Sequence, residues 1–289
     1  MQNSISWRDK LIACVFQILP HHLISRIIFR LTRIESSWVT AAIRWFVTRY
    51  KVNMSEASIE NINEYPSFNA FFTRELKPGI RPFPEESKTI ACPVDGSVSQ
   101  FGTVSNGDIF QAKGHSFTTQ DLLGGDQALA RQFNRGSFIT LYLSPRDYHR
   151  IHMPYSGDLK QMIYIPGRLF SVSPSTTRTV PRLFARNERV VCTFDSDIGL
   201  FAMILVGAIN VAAIETVWHG LITPPHRRKI SRYEYNNKPI HLNRGQEMGR
   251  FNMGSTVILL TDRKVDWVND LQADAAVKMG QALNRLLPD

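Results

Sequence analysis

Three residue types that can together activate a serine lie far apart along the chain, as Asp95, His152 and Ser255. A serine hydroxyl is a poor nucleophile at neutral pH unless a base accepts its proton, and a carboxylate commonly orients that base. The chain therefore offers an acid, a base and a nucleophile in that order. Any long chain contains Asp, His and Ser, so their presence alone does not make these three a site.

Asp95 and Ser255 each have an ordinary structural explanation. Asp95 lies in PVDGSV, and an Asp-Gly pair between strands is usually a turn. Ser255 follows Gly254, and Gly-Ser pairs are common in turns. The GxSxG elbow is absent, because Met253 stands where its first glycine would be. Ser255 is therefore not presented as an esterase serine usually is.

The segment LSPRDYHRIHMP carries His149 and His152, with Asp147 close by. Two histidines three residues apart can bind a metal, but no Cys or carboxylate pattern completes such a site, so we predict no metal. Its Ser-Pro and Met-Pro pairs predict a strand that leads into an irregular loop. Catalytic groups often lie on such loops, but a histidine without a catalytic role fits this position equally well.

Size and composition describe a basic globular protein. The 289 residues (33.0 kDa) are 43% hydrophobic and 20% charged, enough for one large domain or two. The net charge of +9 and the pI near 9.6 predict an anionic partner, with nucleic acid and acidic membrane as the two obvious classes.

The cysteines and the N-terminal apolar run exclude several classes. Cys14, Cys92 and Cys192 are far apart and form no CxxC pair, which favours a reducing compartment over a disulfide framework. The run Leu11–Leu19 is too short to span a bilayer, for which about 20 apolar residues are needed. No small-residue cleavage site follows it, so we do not expect a cleaved signal peptide.

Residues from about 7 to 50 have the apolar period of helices. One apolar face comprises Leu23, Ile24, Ile27, Ile28, Leu31 and Ile34. Another side carries Arg26, Arg30 and Arg33, and a second segment adds Trp38 and Trp45. Residues 1–50 contain seven Lys or Arg against two acidic residues, a net charge of +5.

Two interpretations of these helices remain open on this pattern alone. Arginine on one face and aromatic residues on another suit a lipid interface. Most amphipathic helices instead pack on the rest of the protein, with their arginines in solvent. Nucleic acid is the weaker choice, because the basic residues are dispersed among bulky aliphatic ones and no nucleic-acid-binding motif is present.

After a link rich in Pro and Gly (75–87), short apolar runs are separated by Asp-Gly and Asn-Gly pairs that are typical of hairpins. The runs SFITLYLSP, VVCTF, FAMILVGAINVAAIETVW and STVILLT predict buried strands. The run DLQADAAVKMGQALNRLL, residues 270–287, predicts a closing helix. We therefore predict an α+β fold: N-terminal amphipathic helices, a mostly antiparallel β body and a C-terminal helix.

Read together, these stretches resemble the phosphatidylserine decarboxylase family in its bacterial, pyruvoyl-dependent form. The resemblance rests on the co-occurrence of SFNAFFTRELKPGIRP, ACPVDGSV, QAKGHSF, LSPRDYHRIHMP, YIPGRLFSV, LFARNERV, ETVWHG, ITPP and GQEMGRFNMGSTV. The family's usual cleavage motif is Leu-Gly-Ser-Thr, and here Met253 replaces the leucine. Methionine is apolar and of similar volume, so we expect cleavage to survive.

The resemblance implies a precursor that cuts itself between Gly254 and Ser255 into a large and a small chain. It assigns Asp95, His152 and Ser255 to the self-cleavage triad and His149 to the decarboxylation step. It further implies a helical membrane-docking region over residues 1–74 and a β-rich catalytic domain over 75–289. The cofactor would be a covalent pyruvoyl group made from Ser255.

The implied activity converts phosphatidylserine to phosphatidylethanolamine and CO2 through a Schiff base to that pyruvoyl group. The substrate lies in an anionic membrane, so the resemblance also favours membrane contact by Arg26, Arg30, Arg33, Trp38 and Trp45. It implies a peripheral protein on the cytoplasmic face of the inner membrane, with a homodimer as one open oligomeric state and no nucleic acid as partner.

Two other functions remain as alternatives. A serine hydrolase or acyltransferase would use Asp95, His152 and Ser255 on a bound ester and leave the chain intact. A non-catalytic membrane-binding module would use the β body as a scaffold, and replacement of Ser255 would then change nothing measurable.

Overall fold

The computed structural model describes residues 20–86, 88–112, 114–209, 213–224, 226–235, 239–252 and 255–285. The apolar run 11–19, Cys14, Met253 and Gly254, on which several sequence predictions depend, lie outside these ranges. Among the described residues, Cys92 and Cys192 are buried and free.

The N-terminal part is helical, as predicted. Helix α1 spans His21–Leu31, α2 spans Val39–Tyr50 and α3 spans Phe68–Phe72. Two 3-10 turns, Met54–Glu56 and Ile62–Glu64, lie between α2 and α3. Helices α2 and α3 share a small apolar core of their own, built from Val39, Ile43, Phe46, Val52, Tyr65, Phe71 and Phe72.

Helix α1 is turned the other way from an ordinary core-facing helix. Its buried side chains are His21 and Ser25, whereas Leu23, Ile27 and Leu31 are each about half exposed. Because apolar side chains normally face the core, this orientation leaves an apolar stripe on the surface. No helix in the described part of the chain is long and apolar enough to cross a bilayer.

The β body is dominated by one sheet in which every neighbouring pair is antiparallel. Its strands are β1 (Gly96–Thr103), β4 (Ser137–Leu143), β6 (Gly157–Ile165), β7 (Arg189–Asp195), β8 (Phe201–Val206), β11 (Ser231–Glu234), β12 (His241–Leu242), β14 (Ser255–Thr261) and β15 (Ala276–Val277). Their order is β11–β6–β7–β8–β14–β4–β1–β15, with β12 also paired to β6. Strand β14 therefore lies in the interior of the sheet, between β4 and β8.

A second antiparallel sheet has the order β10–β9–β13–β5. Its strands are β5 (Arg150–His152), β9 (Ile214–Thr216), β10 (Gly220–Thr223) and β13 (Glu247–Phe251), and β2 (Asp108–Ala112) pairs with β3 (His115–Thr118) as a separate hairpin. Short helices α4 (Thr119–Leu122), α5 (Gln127–Gln132), α6 (Pro174–Thr179) and α7 (Leu183–Arg186) connect the strands.

The central strands were predicted well because they are apolar on both faces. Strand β14 coincides with STVILLT and all seven of its residues are buried, and β4, β7 and β8 are almost equally enclosed. A strand that is covered on both faces has a continuous apolar run rather than an alternating one. The turn after β1 was also indicated, since Asn106 and Gly107 both adopt positive φ (51° and 87°), as a type I′ turn requires.

The predicted closing helix is wrong. Residues 270–285 contain the short strand β15 and irregular chain, with Asp274 and Gly280 at positive φ. Their backbone bonds go to the body instead of to each other: the N–H of Cys92 donates to Gln281 O at 2.7 Å. The apolar residues Leu271 and Leu283 are buried as separate anchors, and this tertiary pairing outcompetes local helix propensity.

One long apolar run was predicted as buried strand, but it forms two strands that belong to different sheets. The segment FAMILVGAINVAAIETVW supplies β8 to the large sheet and β9 to the second sheet. An apolar run does not reveal that the chain changes sheets within it. With both sheets antiparallel and the helices segregated from them, the α+β prediction is confirmed.

Candidate active site

Asp95 is fixed in the body immediately before β1. Its side chain is almost fully buried. Arg81 donates two hydrogen bonds to its carboxylate, from Nε to Oδ1 at 3.0 Å and from Nη2 to Oδ2 at 2.6 Å. Lys278 Nζ donates to Oδ2 at 3.1 Å, and the N–H of Met279 donates to Oδ1 at 2.9 Å. Two cations and a backbone amide therefore hold one carboxylate.

These contacts keep Asp95 ionised. Burial by itself would raise the pKa of Asp95, but the hydrogen bonds from Arg81 and Met279 and the charge of Lys278 bring it below its usual value. The hydrogen bonds to Asp95 in turn raise the pKa of Arg81. The carboxylate of Asp95 is therefore a buried negative charge in the site at neutral pH.

The two histidines are presented by a tight turn between β4 and β5. The Ser144 N–H and hydroxyl both donate to Asp147 Oδ2, at 2.8 and 2.7 Å. This arrangement turns the chain after β4, so that His149 precedes β5 and His152 ends it. Asp147 thus has a structural role in shaping the turn.

His149 is wholly buried and its imidazole is neutral. Nδ1 donates to the carbonyl of Asp147 at 2.8 Å, and the ring packs at 4.1 Å between centroids on Phe72. Burial lowers the pKa of His149 to about 3, despite the opposing bond to Asp147. Since Nδ1 carries the proton, Nε2 has a free lone pair, and it has no hydrogen-bond partner among the described residues.

His152 is also held as a neutral base. Nδ1 donates to the carbonyl of Gly245 at 2.8 Å, so Nε2 is unprotonated and accepts from the Tyr148 hydroxyl at 3.0 Å. Burial lowers the pKa of His152. The ring is thus oriented by a backbone carbonyl, and the sequence-based expectation that Asp95 holds it directly is not met; Asp95 acts on His152 through its charge.

Ser255 opens the central strand β14 and is fully buried. Its Oγ has no hydrogen-bond partner in the described part of the chain. A buried hydroxyl without a partner costs free energy, so such a group calls for a functional explanation.

The strand ladders place these residues at one corner of the molecule. Ser97 and Thr256 pair with Tyr142 from opposite sides, and Ser255 pairs with Leu143. Asp95 directly precedes Gly96, so it lies about two strand spacings, roughly 10 Å, from Ser255. The N–H of His152 donates to the carbonyl of Pro93, which brings β5 to the same corner.

The segment before Ser255 is held by hydrogen bonds at Asn252. Its Nδ2 donates to Glu215 Oε1 at 2.9 Å, and its Oδ1 accepts from Arg33 Nη2 at 3.0 Å. One residue earlier, the N–H of Phe251 donates to the carbonyl of His149. The chain is therefore held beside His149 at Phe251 and Asn252. Arg33, predicted as a membrane contact, is directed toward the body here.

A pocket of about 460 Å³ opens beside Asp95. Its charged lining residues are four basic ones, Lys51, Arg74, Arg146 and Lys278, and four acidic ones, Glu56, Asp95, Asp147 and Asp274. Lys51 follows the end of α2, so the helical part and the β body both line this pocket. Ser255 does not line it and remains behind the surface.

Sequence reasoning missed the residues that hold the site together. Arg81, Tyr148, Gly245 and Lys278 all contact a predicted site residue. Arg81 and Gly245 belong to stretches that support the family resemblance, but nothing in the local pattern indicates what they bind. Lys278 and Met279 were assigned to the closing helix, which concealed their contact with Asp95.

Comparisons with known proteins identify a family. A family model described as phosphatidylserine decarboxylase matches residues 68–285, and a second, described as PSD, matches 15–51. A phosphatidylserine decarboxylase proenzyme of Pseudomonas putida (strain GB-1) is 55% identical over 270 residues, covering 92% of this chain and 94% of the relative. The proenzyme of Alkalilimnicola ehrlichii is 58% identical over 259 residues, covering 89% and 90%.

A third relative, the proenzyme of Pseudomonas paraeruginosa (strain DSM 24068 / PA7), is 51% identical over 283 residues, or 96% of this chain and 98% of the relative. The match of a family model to most of the chain and of relatives to nearly all of it agrees with the resemblance in the sequence blocks. The chain belongs to the phosphatidylserine decarboxylase family.

Proposed function

We propose that this chain is the precursor of a pyruvoyl-dependent phosphatidylserine decarboxylase that cuts itself between Gly254 and Ser255. The family membership supports the overall reaction. The observation that carries the finer proposal is the buried, unpartnered hydroxyl of Ser255, at the start of an interior strand and at the same corner as two neutral histidines. The relatives are named as proenzymes, which fits a precursor that must be processed.

Self-cleavage requires a base, a nucleophile and a stabilising charge. In the proposed first step His152 Nε2 releases the Tyr148 hydroxyl and accepts the proton of Ser255 Oγ. Oγ then attacks the carbonyl carbon of Gly254; a C–O bond forms, the C–N bond breaks as His152 passes its proton to the leaving nitrogen, and an ester and a free amine result. The charge of Asp95 stabilises the protonated ring of His152.

The second step is an elimination. Loss of the Ser255 Cα proton and cleavage of its Cβ–Oγ bond release the carboxylate of Gly254 and leave an alkene on residue 255. Water then replaces the nitrogen, ammonia leaves, and a carbonyl remains at the new N-terminus. The enclosed position of Ser255 suits this chemistry, because a strand with residues buried on both faces restricts water to the few molecules that the reaction needs.

The pyruvoyl group supplies an electrophilic carbonyl that no ordinary side chain has, and it accepts the electrons released as CO2 leaves. This chain's own residues then position the substrate. His149 is neutral at pH 7 and its Nε2 is bare, so Nε2 must first take up a proton before it can donate to the substrate carboxylate or deliver that proton to the substrate carbon. The pocket beside Asp95 carries both basic and acidic side chains, which suits a headgroup that has both anionic groups and an ammonium.

Membrane docking is proposed for residues 1–74, with residues 75–289 as the catalytic domain. Support comes from the apolar stripe of Leu23, Ile27 and Leu31 on α1 and from three further exposed apolar side chains, Ile34, Trp38 and Trp45. Exposed apolar groups together with Arg26 and Arg30 fit an interface with anionic lipid, where each basic residue contributes roughly 1 kcal/mol. The proposed location is peripheral, on the cytoplasmic face of the inner membrane, and a homodimer remains an untested expectation.

The intact mass of the purified protein under denaturing conditions tests the proposal. We expect two chains, residues 1–254 and residues 255–289, with the small chain lighter than a serine-started peptide by the mass of ammonia. Ser255→Ala should remain uncut and inactive. Thr193→Val is the matched control, because Thr193 Oγ1 is also buried and unpartnered but lies on β7, away from the cleavage position.

A single uncut chain with a Ser255 that reacts with serine-directed inhibitors would favour the hydrolase or acyltransferase alternative. A single uncut chain that is unreactive and indistinguishable from Ser255→Ala would favour the non-catalytic membrane module. Cleavage and decarboxylation of phosphatidylserine vesicles by the wild type and by Thr193→Val, but not by Ser255→Ala, would exclude both.

A further inference from the structure

Two histidines and a glutamate from distant parts of the chain meet where α1 lies on the β body. They are His22 on α1, Glu188 just before β7, and His226 between β10 and β11. One ligand atom from each residue lies within 4.8 Å of the others, and the two imidazole centroids are 4.5 Å apart. The cluster is separate from Asp95, His149, His152 and Ser255.

Hydrogen bonding fixes the tautomer of His22. Nε2 lies 3.0 Å from the carbonyl of Gly167, and a carbonyl only accepts, so Nε2 carries the proton. Nδ1 is therefore a bare nitrogen; it is buried and has no partner in the described part of the chain. An imidazole that donates through one nitrogen to a backbone carbonyl and leaves the other free has the arrangement found in metal-binding histidines.

His226 is oriented in the same manner by a carboxylate. Its Nδ1 lies 2.8 and 2.9 Å from the two oxygens of Glu188, and its buried Nε2 has no partner in the described residues. The side chain of His226 is only 10% exposed. Two partly buried imidazoles lie against each other, each with a buried, unpartnered nitrogen, and no hydrogen bond between them explains their contact.

The charge of Glu188 adds an independent reason for a cation. Its side chain is 2% exposed, and Tyr164 donates to Oε1 at 2.5 Å. Among the described residues no Lys or Arg forms an ion pair with it; its other polar partner is His226. A buried carboxylate is costly unless a positive charge compensates it. Arg168 acts electrostatically on the His22 side of the cluster but makes no such pair.

We propose that His22 Nδ1 and His226 Nε2 bind a divalent transition-metal cation, of which Zn²⁺ is the natural example, while Glu188 orients His226 through its Nδ1–H and supplies a compensating negative charge. Imidazole suits Zn²⁺, Co²⁺ and Ni²⁺ and not Mg²⁺ or Ca²⁺, and two histidine ligands leave further positions for water. Because His22 lies on α1 and His226 on the β body, the metal would connect α1 to the β body. No local sequence pattern indicates this site, because its three residues are far apart along the chain.

Metal binding to the untagged, EDTA-treated full chain tests the proposal. We expect one Zn²⁺ per chain by calorimetry, and with Co²⁺ the visible absorption of a low-coordinate site. His22→Gln and His226→Gln should each weaken binding at least ~10-fold. His241→Gln is the matched control, because His241 also pairs with a carboxylate, Asp158 at 2.8 Å, but is exposed and should bind no differently from wild type.

A second measurement reports on α1 itself. Bound Zn²⁺ should slow tryptic cleavage after the exposed Arg26 and Arg30 in wild type and in His241→Gln, and should have no such effect in His226→Gln. Circular dichroism must first show that each variant is folded. Equal Zn²⁺ affinity in wild type and His226→Gln, or no binding above the level of a surface histidine, would overturn the proposal and leave the cluster as a His–Glu ion pair.

Discussion

At the residue scale, burial sets the protonation of the site. His149 and His152 each donate Nδ1–H to a backbone carbonyl, which fixes the tautomer and leaves Nε2 as the basic nitrogen. Desolvation lowers both pKa values, so both rings are neutral at pH 7. Asp95, by contrast, stays charged because Arg81 and Lys278 surround it. A charged acid and two neutral bases are thereby maintained at one corner.

The lowered pKa of His149 predicts acid sensitivity. Below about pH 6.5 the unfolded chain gains a proton at this residue, while the folded chain remains unprotonated down to about pH 3. The free energy of unfolding should therefore fall as the pH drops through this window, by at most about 1.4 kcal/mol per pH unit from this group.

Denaturant unfolding of His149→Gln at pH 7 and pH 4.5 measures the effect. The variant should lose less stability than the wild type over this range, whereas the surface variant His241→Gln should follow the wild type. Parallel losses in wild type and His149→Gln would show that His149 does not titrate with a lowered pKa.

The pair of Arg81 and Asp95 makes a second prediction at this scale. Asp95→Asn leaves Arg81 buried without its main partner and should lower the free energy of unfolding by about 3–5 kcal/mol at pH 7. Because the pKa of Asp95 is lowered, its contribution is present above about pH 4 and is lost as the pH falls through the lowered value. The wild type and the variant should therefore converge in acid.

Chemical denaturation across pH 7 to 3 tests this convergence. Asp158→Asn serves as the control, since Asp158 pairs with His241 on the surface and such pairs contribute about 0–1 kcal/mol. A loss in Asp95→Asn no greater than in Asp158→Asn would contradict the assignment of Asp95 as a buried, ion-paired group.

At the scale of elements, α1 contacts the β body with one side and exposes apolar side chains on another. Its His22 and the nearby Arg33 contact the body, through Gly167 and Asn252. Its apolar stripe and the side chains of Arg26 and Arg30 face outward. An apolar side that is exposed in this way is typical of a surface that contacts a protein or a membrane.

Vesicle binding tests the stripe. The triple variant Leu23→Ser, Ile27→Ser, Leu31→Ser should bind anionic vesicles at least ~10-fold more weakly, because roughly half of each side chain is exposed and available to lipid. Arg26→Glu with Arg30→Glu should weaken binding mainly at low salt. Arg33 is left unchanged, because it holds Asn252.

Phe110→Ser is the control for the stripe, since Phe110 is 47% exposed on the separate β2–β3 hairpin. A co-sedimentation assay that shows equal losses for this control and the triple variant would indicate a general effect of surface hydrophobicity. Unchanged binding in the triple variant would remove α1 from the proposed membrane contact.

At the scale of the whole molecule, the cut proposed at residue 254 falls within a continuous structure. Residues 255–261 form seven pairs with β4 and six with β8, in the middle of the large sheet. Residues further on bond to Cys92, Ile90 and Val98. The small chain would therefore supply an interior strand of the fold and not an appended tail.

It follows that cleavage should separate the chains only after unfolding. Native mass spectrometry should show the mass of large plus small chain together, and denaturing conditions should resolve them. The single variant Leu259→Ala removes a fully buried side chain from β14 and should lower the free energy of unfolding by about 2–5 kcal/mol without changing the cleavage site. Release of the small chain from the folded wild type would contradict this arrangement.

The sequence by itself determined the strand-rich body, the helical N-terminal part and the family, because continuous apolar runs, helical spacing and motif blocks are local properties. Strand β14 matched its apolar run throughout, and Asn106-Gly107 made the expected turn. The same locality made residues 270–285 look helical, although backbone pairing with distant strands keeps them extended or irregular.

Only the tertiary structure decided which groups meet. Asp95 binds Arg81 and Lys278, His152 is held by Gly245, and His22 lies beside His226, at separations along the chain that no local pattern encodes. These contacts depend on strand order and on how α1 lies on the body, and strand order is set by the burial of both faces of the sheet together. Desolvation, which sets the pKa of His149, likewise exists only once the surrounding elements have packed.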